Sequence, residues 1–481
     1  MVGNMYGVDI KVTPTRKGPA AKGIELNGVN SGTDFFKYEE GAKYYRDFAR
    51  RVGAKTKGRP LFFRASPCLP PDTIERACWR REYAEKRDER KKDADTIRKV
   101  VPKDVPLETA WIDDKYDFDC AYIDREPEHE EFHYALGAQA EGIPAYLYDK
   151  VSYKRDHLDF TLHNGGRLRI RPSDVGAIRS ELDWQKAPKH LKHLFFNTGI
   201  NELTTSIVEE VTDSKLLFYF TTTFREKDQD IWPEHIYYGL GGTTPAQMRA
   251  FIRRTKADRY VRKYSASSCG VGVDIMTKEE LRKQLPRKRR AAGSLEDAGL
   301  LLEMVNNAHW NDTLDGYVSV FQPFIPSIPI PHPRTGAPHD GCARMIVLSL
   351  DNEAPVVVGG QWRLAPRPMD DKSAPAAERL RANLSRGATA VPMDDEAYRL
   401  ASDCAIKIVN DYETFMWPCH QVLEIQQEKY KTKGFKHLPR KIDIFRGIFY
   451  ENYLCAFSEQ HGFRWYDEIT ASGVKAKMHH K

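Results

Sequence analysis

Residues 259–276 read RYVRKYSASSCGVGVDIM. Apolar and polar residues alternate in YVRKY and again in GVDIM, the two-residue period of half-buried strands. Between them lies a run of small residues that includes Ser265, Ser267, Ser268, Gly270 and Gly272. A lysine near a strand end, then a small-residue loop, then a second strand, can hold nucleotide phosphates. Small side chains let backbone N–H groups approach phosphate oxygens, and the Lys263 ammonium adds a point charge. A plainer reading, a glycine hairpin beside a solvated lysine, fits the same residues. The two better-known phosphate loops are absent: there is no GxxxxGK[ST], and GVGVDI lacks both GxGxxG spacing and a following helix. GLGGTTPAQ (239–247) does run into a helix, whose N-terminus would suit an anion or simply be a capped loop.

Working outward, Thr244-Pro245 places an N-cap and a first-turn proline ahead of PAQMRAFIRRT. Strand-like runs follow the hairpin at 317–325, 343–350 and 356–365, and a helix capped by Asp394 or Asp395 closes the region. Its apolar stripe is expected to include Tyr398, Leu400, Ala401, Ala405, Ile408 and Val409. Upstream, short strands are expected at Leu61–Phe63 and Tyr146–Tyr148, with a helix over Glu131–Ala140. Others are expected at Ala121–Ile123, Leu194–Phe196 and Leu216–Phe220. Helices alternating with mostly antiparallel strands imply an α+β architecture.

The chain has 481 residues, 41% hydrophobic and 30% charged, enough for two or three cores. No run approaches the roughly 18 apolar residues of a membrane span, and the N-terminus lacks a signal-peptide core, so a cytoplasmic location without membrane partners is expected. Eight cysteines form no CxxC pair and no zinc spacing; reduced thiols are expected. The net charge of +6 and the basic run Arg287-Lys288-Arg289-Arg290 leave a nucleic-acid-binding protein as a third-ranked reading, without a signature motif behind it.

The order of segments after Lys263 sharpens the reading. Gln322-Pro323-Phe324-Ile325-Pro326 ends a strand, Arg344 lies in CARMIVLSL, Arg363 in GGQWRLAP and Asn383 in RANLSRGATAVP; Lys215 precedes them in VTDSKLL. Over residues 211–390 this order resembles that of the ATP-grasp ligases. The resemblance implies a two-lobe nucleotide-binding fold, with ATP between the lobes. Its adenine would lie at Gln322, Phe324 and Ile325, and its phosphates on Lys215, Lys263 and the 265–272 loop. Arg344, Arg363 and Asn383 would act on the transferring group. It further implies ATP and Mg²⁺ as cofactors, and small-molecule or peptide carboxylate and amine substrates joined through an acyl phosphate. Each arginine also has a simpler reading as a half-buried salt-bridge former.

The metal ligands depart from the family pattern, because no Glu-x-Asn follows Asn383. Two sets compete. The C-terminal one is Asp443 with Asp467-Glu468; the N-terminal one is Asp9 with Glu25-x-Asn27 in GVDIKVTPTRKGPAAKGIELNGVNSG (7–32). The second offers two carboxylates and an amide, hard oxygens of the kind Mg²⁺ takes, and makes the chain similar to a circularly permuted member of the family. On this reading 1–59 completes the metal site, 60–205 is an α/β substrate-side region, 206–412 holds the nucleotide, and 413–481 is an aromatic and basic tail of unassigned role. The rival is a non-catalytic or structural protein that retains only the nucleotide-binding fold.

Overall fold

The computed structural model describes residues 3–27, 38–64, 130–179, 231–239, 245–264, 273–285, 318–350 and 353–413, with scattered helical positions between 80 and 116. Among the described residues the architecture is mixed α+β, with three sheets of four or five strands.

The first sheet joins the two ends of the described chain. Strands β1 (Gly3–Thr15) and β2 (Gly18–Asn27) form a hairpin. β1 also pairs antiparallel with β14 (Gly341–Leu350), and β14 with β15 (Val356–Leu364), which pairs with β16 (Thr389–Val391). The order is β16-β15-β14-β1-β2. β1 is therefore an interior strand, and the N-terminal segment is part of this sheet.

A mixed sheet of order β6-β5-β4-β3-β7 is built from β3 (Leu61–Arg64), β4 (Ala145–Lys154), β5 (His157–Leu162), β6 (Arg167–Ile170) and β7 (Ala177–Arg179). Here β3 runs parallel to both β4 and β7. The third sheet has order β10-β9-β11-β8 and is antiparallel throughout. Its strands are β8 (Ile236–Gly239), β9 (Arg259–Tyr264), β10 (Val273–Thr277) and β11 (Val318–Pro323). β12 (Ile330–Pro331) and β13 (Pro338–His339) make a small ribbon in the chain between β11 and β14.

The helices cover the sheets as their periodicity dictates. In α1 (Tyr38–Lys55), Tyr44, Tyr45, Phe48, Ala49 and Val52 fall on one face. They pack with Tyr134, Ala135 and Ala138 of α2 (Glu130–Ala140) against Leu61, Phe63, Met5, Ile346 and Leu348. This core joins the first sheet to the mixed one; each large apolar side chain buried there contributes about 1.5–3 kcal/mol. α2 ends where Gly142 takes φ +73, letting Ile143 N–H reach back to Ala138 O at 2.9 Å.

The third sheet buries Tyr260, Met276 and Phe321 against α3 (Pro245–Thr255) and α4 (Lys278–Gln284). Thr277 ends β10 and caps α4, accepting from Glu280 N–H at 3.2 Å while Glu280 accepts from Thr277 N–H at 2.7 Å. The short helix α5 (Ala376–Leu380) lies against β10.

A final helix, α6 (395–413), starts at Asp394, whose Oδ1 accepts from Ala397 N–H at 2.9 Å. Its buried face is Ala397, Ala401, Cys404, Ala405, Ile408, Val409 and Tyr412. Tyr398 and Leu400, expected in that stripe, are half-buried at its margin. Gly23 of β2 lies where an added Cβ would meet Ile408 Cδ1 at 2.6 Å, and the Tyr6 and Tyr412 rings meet edge-on at 5.7 Å. α6 thus covers one face of the first sheet, the face carrying Tyr6, Val8 and Ile10; the opposite face packs Met5, Ile346 and Leu348 under α1 and α2 and carries the charged residues farther along the same strands. The expected strands at 121–123, 194–196 and 216–220 lie outside the described residues.

Candidate functional site

Strand alternation puts Asp9 and Lys11 of β1 on the side of the first sheet away from α6. Register then assembles a row across four strands. Asp9 stands opposite Arg344 and Glu25, and Arg344 opposite Gln361. Cys342 and Arg363 form the neighbouring pair on that face. Gly7 opposite Asn27 lies on the other side of the row, so Glu25 and Asn27 share a face.

Between Asp9 and Ile10 the register shifts by one residue, because Gly23 follows Glu25 as the next partner. Ile24 is the extra residue of this bulge, and its carbonyl accepts from Lys263 Nζ at 3.0 Å. Lys263 comes from β9 of the third sheet. Its ammonium is also 3.9 Å from Glu25 Oε2, and the residue is 3% exposed. Burial draws the Lys263 pKa below the ordinary lysine value, with Glu25 and Asp9 pulling the other way.

Arg344 grips Asp9 with two donors, Nε to Oδ1 at 2.5 Å and Nη2 to Oδ2 at 2.9 Å, and Arg363 Nη1 stands 3.7 Å from Asp9 Oδ1. Burial would raise the Asp9 carboxyl, but the two guanidiniums overcome it and hold the pKa below the ordinary value. Arg344 is raised: burial lowers it, and Asp9 outweighs that. Burial, followed by the Asp9 charge, pushes the Cys342 thiol up to about 12, so it stays protonated.

Gln322 on β11 lies opposite Val261, and Val320 opposite Lys263, so Gln322 and Lys263 share one face of the third sheet. Gln322 is 2% exposed, and among the described residues its Oε1 has no hydrogen-bond partner. A buried acceptor left in that state costs about 1–3 kcal/mol, which a ligand donor would recover.

The structure therefore brings Lys263, Glu25, Asp9, Arg344 and Arg363 into one cluster, the three cations buried and the two carboxylates half-buried. Phe324 and Ile325 are half-buried just past β11, and the Phe324 ring centroid lies 5.7 Å from Lys11 Nζ. Asn27 donates from Nδ2 to Gly7 O at 3.2 Å. Asn383 follows α5 in a tight turn, its carbonyl accepting from Arg386 N–H at 3.0 Å and Ala388 N–H at 3.2 Å. Nearby Arg381 reaches Val273 O at 3.3 Å, opposite Lys263 in the β10–β9 ladder. Lys215, Ser265, Ser267, Ser268, Gly270 and Gly272 lie outside the described residues, as do Asp443, Asp467, Glu468 and 287–290.

Asp9, expected among the metal ligands, accepts from the Arg344 guanidinium with both oxygens. Glu25 and Asn27 still place a carboxylate and an amide oxygen on one face. That donor set suits an ion such as Mg²⁺, which keeps water and phosphate in most of its shell. No group of three or more His, Cys, Asp or Glu side chains suited to a metal occurs among the described residues.

Lys11, Asp340 and Gln361 were missed by the sequence reading, although all three are buried and Lys11 pairs with Asp340. The signal for Lys11 was available: it lies two residues beyond Asp9 and so on the same strand face.

No protein-family model matches the chain, and no curated protein sequence does either. Among solved structures, similarity is found to a candidate gamma-glutamylcysteine synthetase from Methylobacillus flagellatus KT. The TM-score is 0.36 and identity 11%, over 86% of this chain and 90% of that one. A glutathione synthetase-like effector from Globodera pallida, in its apo form, gives a TM-score of 0.34 at 8% identity, over 76% of this chain and 74% of that one. Likeness of this degree assigns neither family nor activity.

Proposed function

We propose that the chain is an ATP-dependent ligase that joins a carboxylate to an amine or a related nucleophile through an acyl phosphate. One observation carries the reading. A buried lysine from one sheet meets a carboxylate from another, 3.9 Å apart, beside two buried arginines. Three buried cations converging on one place are the kind of charge set that phosphate oxygens suit.

In this reading the nucleotide lies between the first and third sheets, with the base toward Gln322, Phe324 and Ile325. Lys263 and Arg363 offset the charge of the phosphates, and Arg344, held by Asp9, keeps a fixed guanidinium in reach of the transferring group. A substrate carboxylate oxygen forms a bond to the γ-phosphorus as the bond to the bridging β-γ oxygen breaks, releasing ADP. The amine then adds at the acyl carbon, phosphate leaves with the C–O bond, and the amine loses its proton. Glu25 and Asn27 are the residues that would hold Mg²⁺, which would supply charge neutralisation in this chemistry. Most of the rate comes from positioning and electrostatics.

The second reading, a protein that keeps the nucleotide site without turnover, is favoured by the engagement of Asp9 with Arg344. Phosphate release, assayed with ATP, Mg²⁺ and panels of amino acids and short peptides, separates the two. Release that requires a carboxylate and an amine together supports the ligase. Nucleotide binding without release supports the second reading, and AMP as product sinks the acyl-phosphate route.

A further inference from the structure

The chain passes from the third sheet to the first through residues 324–328, and this crossing is pinned at both ends. Phe324 N–H donates to Arg259 O of β9 at 2.9 Å, and Ile328 N–H to Val12 O of β1 at 2.7 Å. Pro323 and Pro326 stiffen it by fixing φ. Its middle is held by one carboxylate. Asp340 Oδ1 accepts from Ser327 N–H at 2.9 Å and lies 3.0 Å from Ser327 Oγ, which itself accepts from Gly341 N–H at 2.8 Å. The other oxygen of Asp340 takes the Lys11 ammonium. Asp340 is 0% exposed and Lys11 6%.

We infer that Lys11 and Asp340 are positioning residues that set the base-side wall of the nucleotide site, Phe324 and Ile325, against the first sheet. This rests on the nucleotide reading above. Lys11 sits on the same strand face as Asp9, where a cation could be taken for a phosphate ligand. Its charge is instead matched by Asp340 within the protein. The pair acts on the crossing: Lys11 fixes Asp340, Asp340 fixes Ser327, and Ser327 is three residues from Phe324, whose ring lies 5.7 Å from the same ammonium. Removing Lys11 leaves the phosphate cations Lys263, Arg344 and Arg363 in place and frees the wall.

Titration calorimetry of the full chain with ATP and, separately, with inorganic tripolyphosphate tests this, with Mg²⁺ in both. Lys11→Met weakens ATP at least tenfold and leaves tripolyphosphate within about twofold of the parent. Ser327→Ala, which keeps both buried charges, weakens ATP about threefold in the same selective way. It decides the matter alone if Lys11→Met does not fold. Equal loss for both ligands makes Lys11 a phosphate contact and overturns the inference, as does unchanged ATP affinity in the folded variants. A parent protein that binds neither ligand overturns the nucleotide reading itself.

Discussion

Lys263 Nζ stands 3.9 Å from Glu25 Oε2, and the two residues come from different sheets and from distant parts of the chain. The bulge at Ile24 makes the meeting possible. It turns one carbonyl out of the β1–β2 ladder to take the ammonium, 3.0 Å away, and sets Glu25 beside it. The lysine is thus held by a neutral carbonyl acceptor, with the Glu25 carboxylate close by.

Lys263→Ala is expected to weaken ATP binding at least tenfold, since a hydrogen bond to a charged group is worth about 1.5–3 kcal/mol. Calorimetry on parent and folded variant checks it, and equal affinities remove Lys263 from the site. The pH dependence has a definite sign. Burial lowers the Lys263 pKa below 10.5, so ATP affinity declines as pH rises through that lowered value, and the decline is absent from Lys263→Ala.

Glu25→Gln keeps the shape and removes the charge at a half-buried strand position. The protein should fold with a melting temperature close to the parent's, while Mg²⁺-dependent phosphate release is lost. Full release by the variant would exclude Glu25 from metal binding and return attention to Asp443 or Glu468.

Asp9→Asn leaves Arg344 and Arg363 buried without their shared carboxylate. Breaking a buried pair from one side costs about 3–5 kcal/mol, measurable by urea unfolding. Because the folded pKa of Asp9 is lowered, its stabilisation is complete above the ordinary carboxylate value of 3.8 and is lost as pH falls through the folded value. The parent should therefore lose stability in that acid window, and Asp9→Asn should show a flatter profile there. A variant as stable as the parent at neutral pH would mean that the arginines find other partners.

How far these relationships were legible in the sequence depends on the range of the interaction. Alternation within β1 and β2 puts Asp9 with Lys11 and Glu25 with Asn27, and the hairpin of Lys263 is visible as a local pattern. The caps at Thr277 and Asp394 are likewise local, a T-x-x-E box and an acid ahead of an apolar stripe. Register between β1 and β14 is a tertiary fact. That Asp9 faces Arg344 follows from which residues pair across strands far apart in the chain, and one residue of slip would have put Arg344 under α6. The contact of Arg344 with Asp9 is an ion pair whose arginine is buried. Asp340 was hidden for the same reason, since its partner Lys11 is on another element.

Gly137 offers a test of the packing that carries the site. It lies in α2 where the helix crosses α1, and an added Cβ would stand 2.7 Å from both Tyr45 Cβ and Tyr45 O. Those atoms belong to backbone and side-chain root, so no rotamer change relieves the contact, and the helices must separate. Gly→Ala inside a helix ordinarily gains about 0.8–1 kcal/mol. Overpacking of this kind costs about 1–3 kcal/mol, and here the clash is with α1 itself, so the loss should win. Tyr44 and Tyr134 would then part from their 2.5 Å hydroxyl contact, and Tyr134 from Met5, loosening the core under the Asp9 row. Gly142→Ala is the control: φ is +73 there, but nothing lies within 4 Å of the new methyl, so only local backbone strain is added. Thermal melts should rank parent, Gly142→Ala and Gly137→Ala in falling order, with Gly137→Ala also weakening ATP. A Gly137→Ala protein as stable as the parent would show that α1 and α2 do not cross this closely.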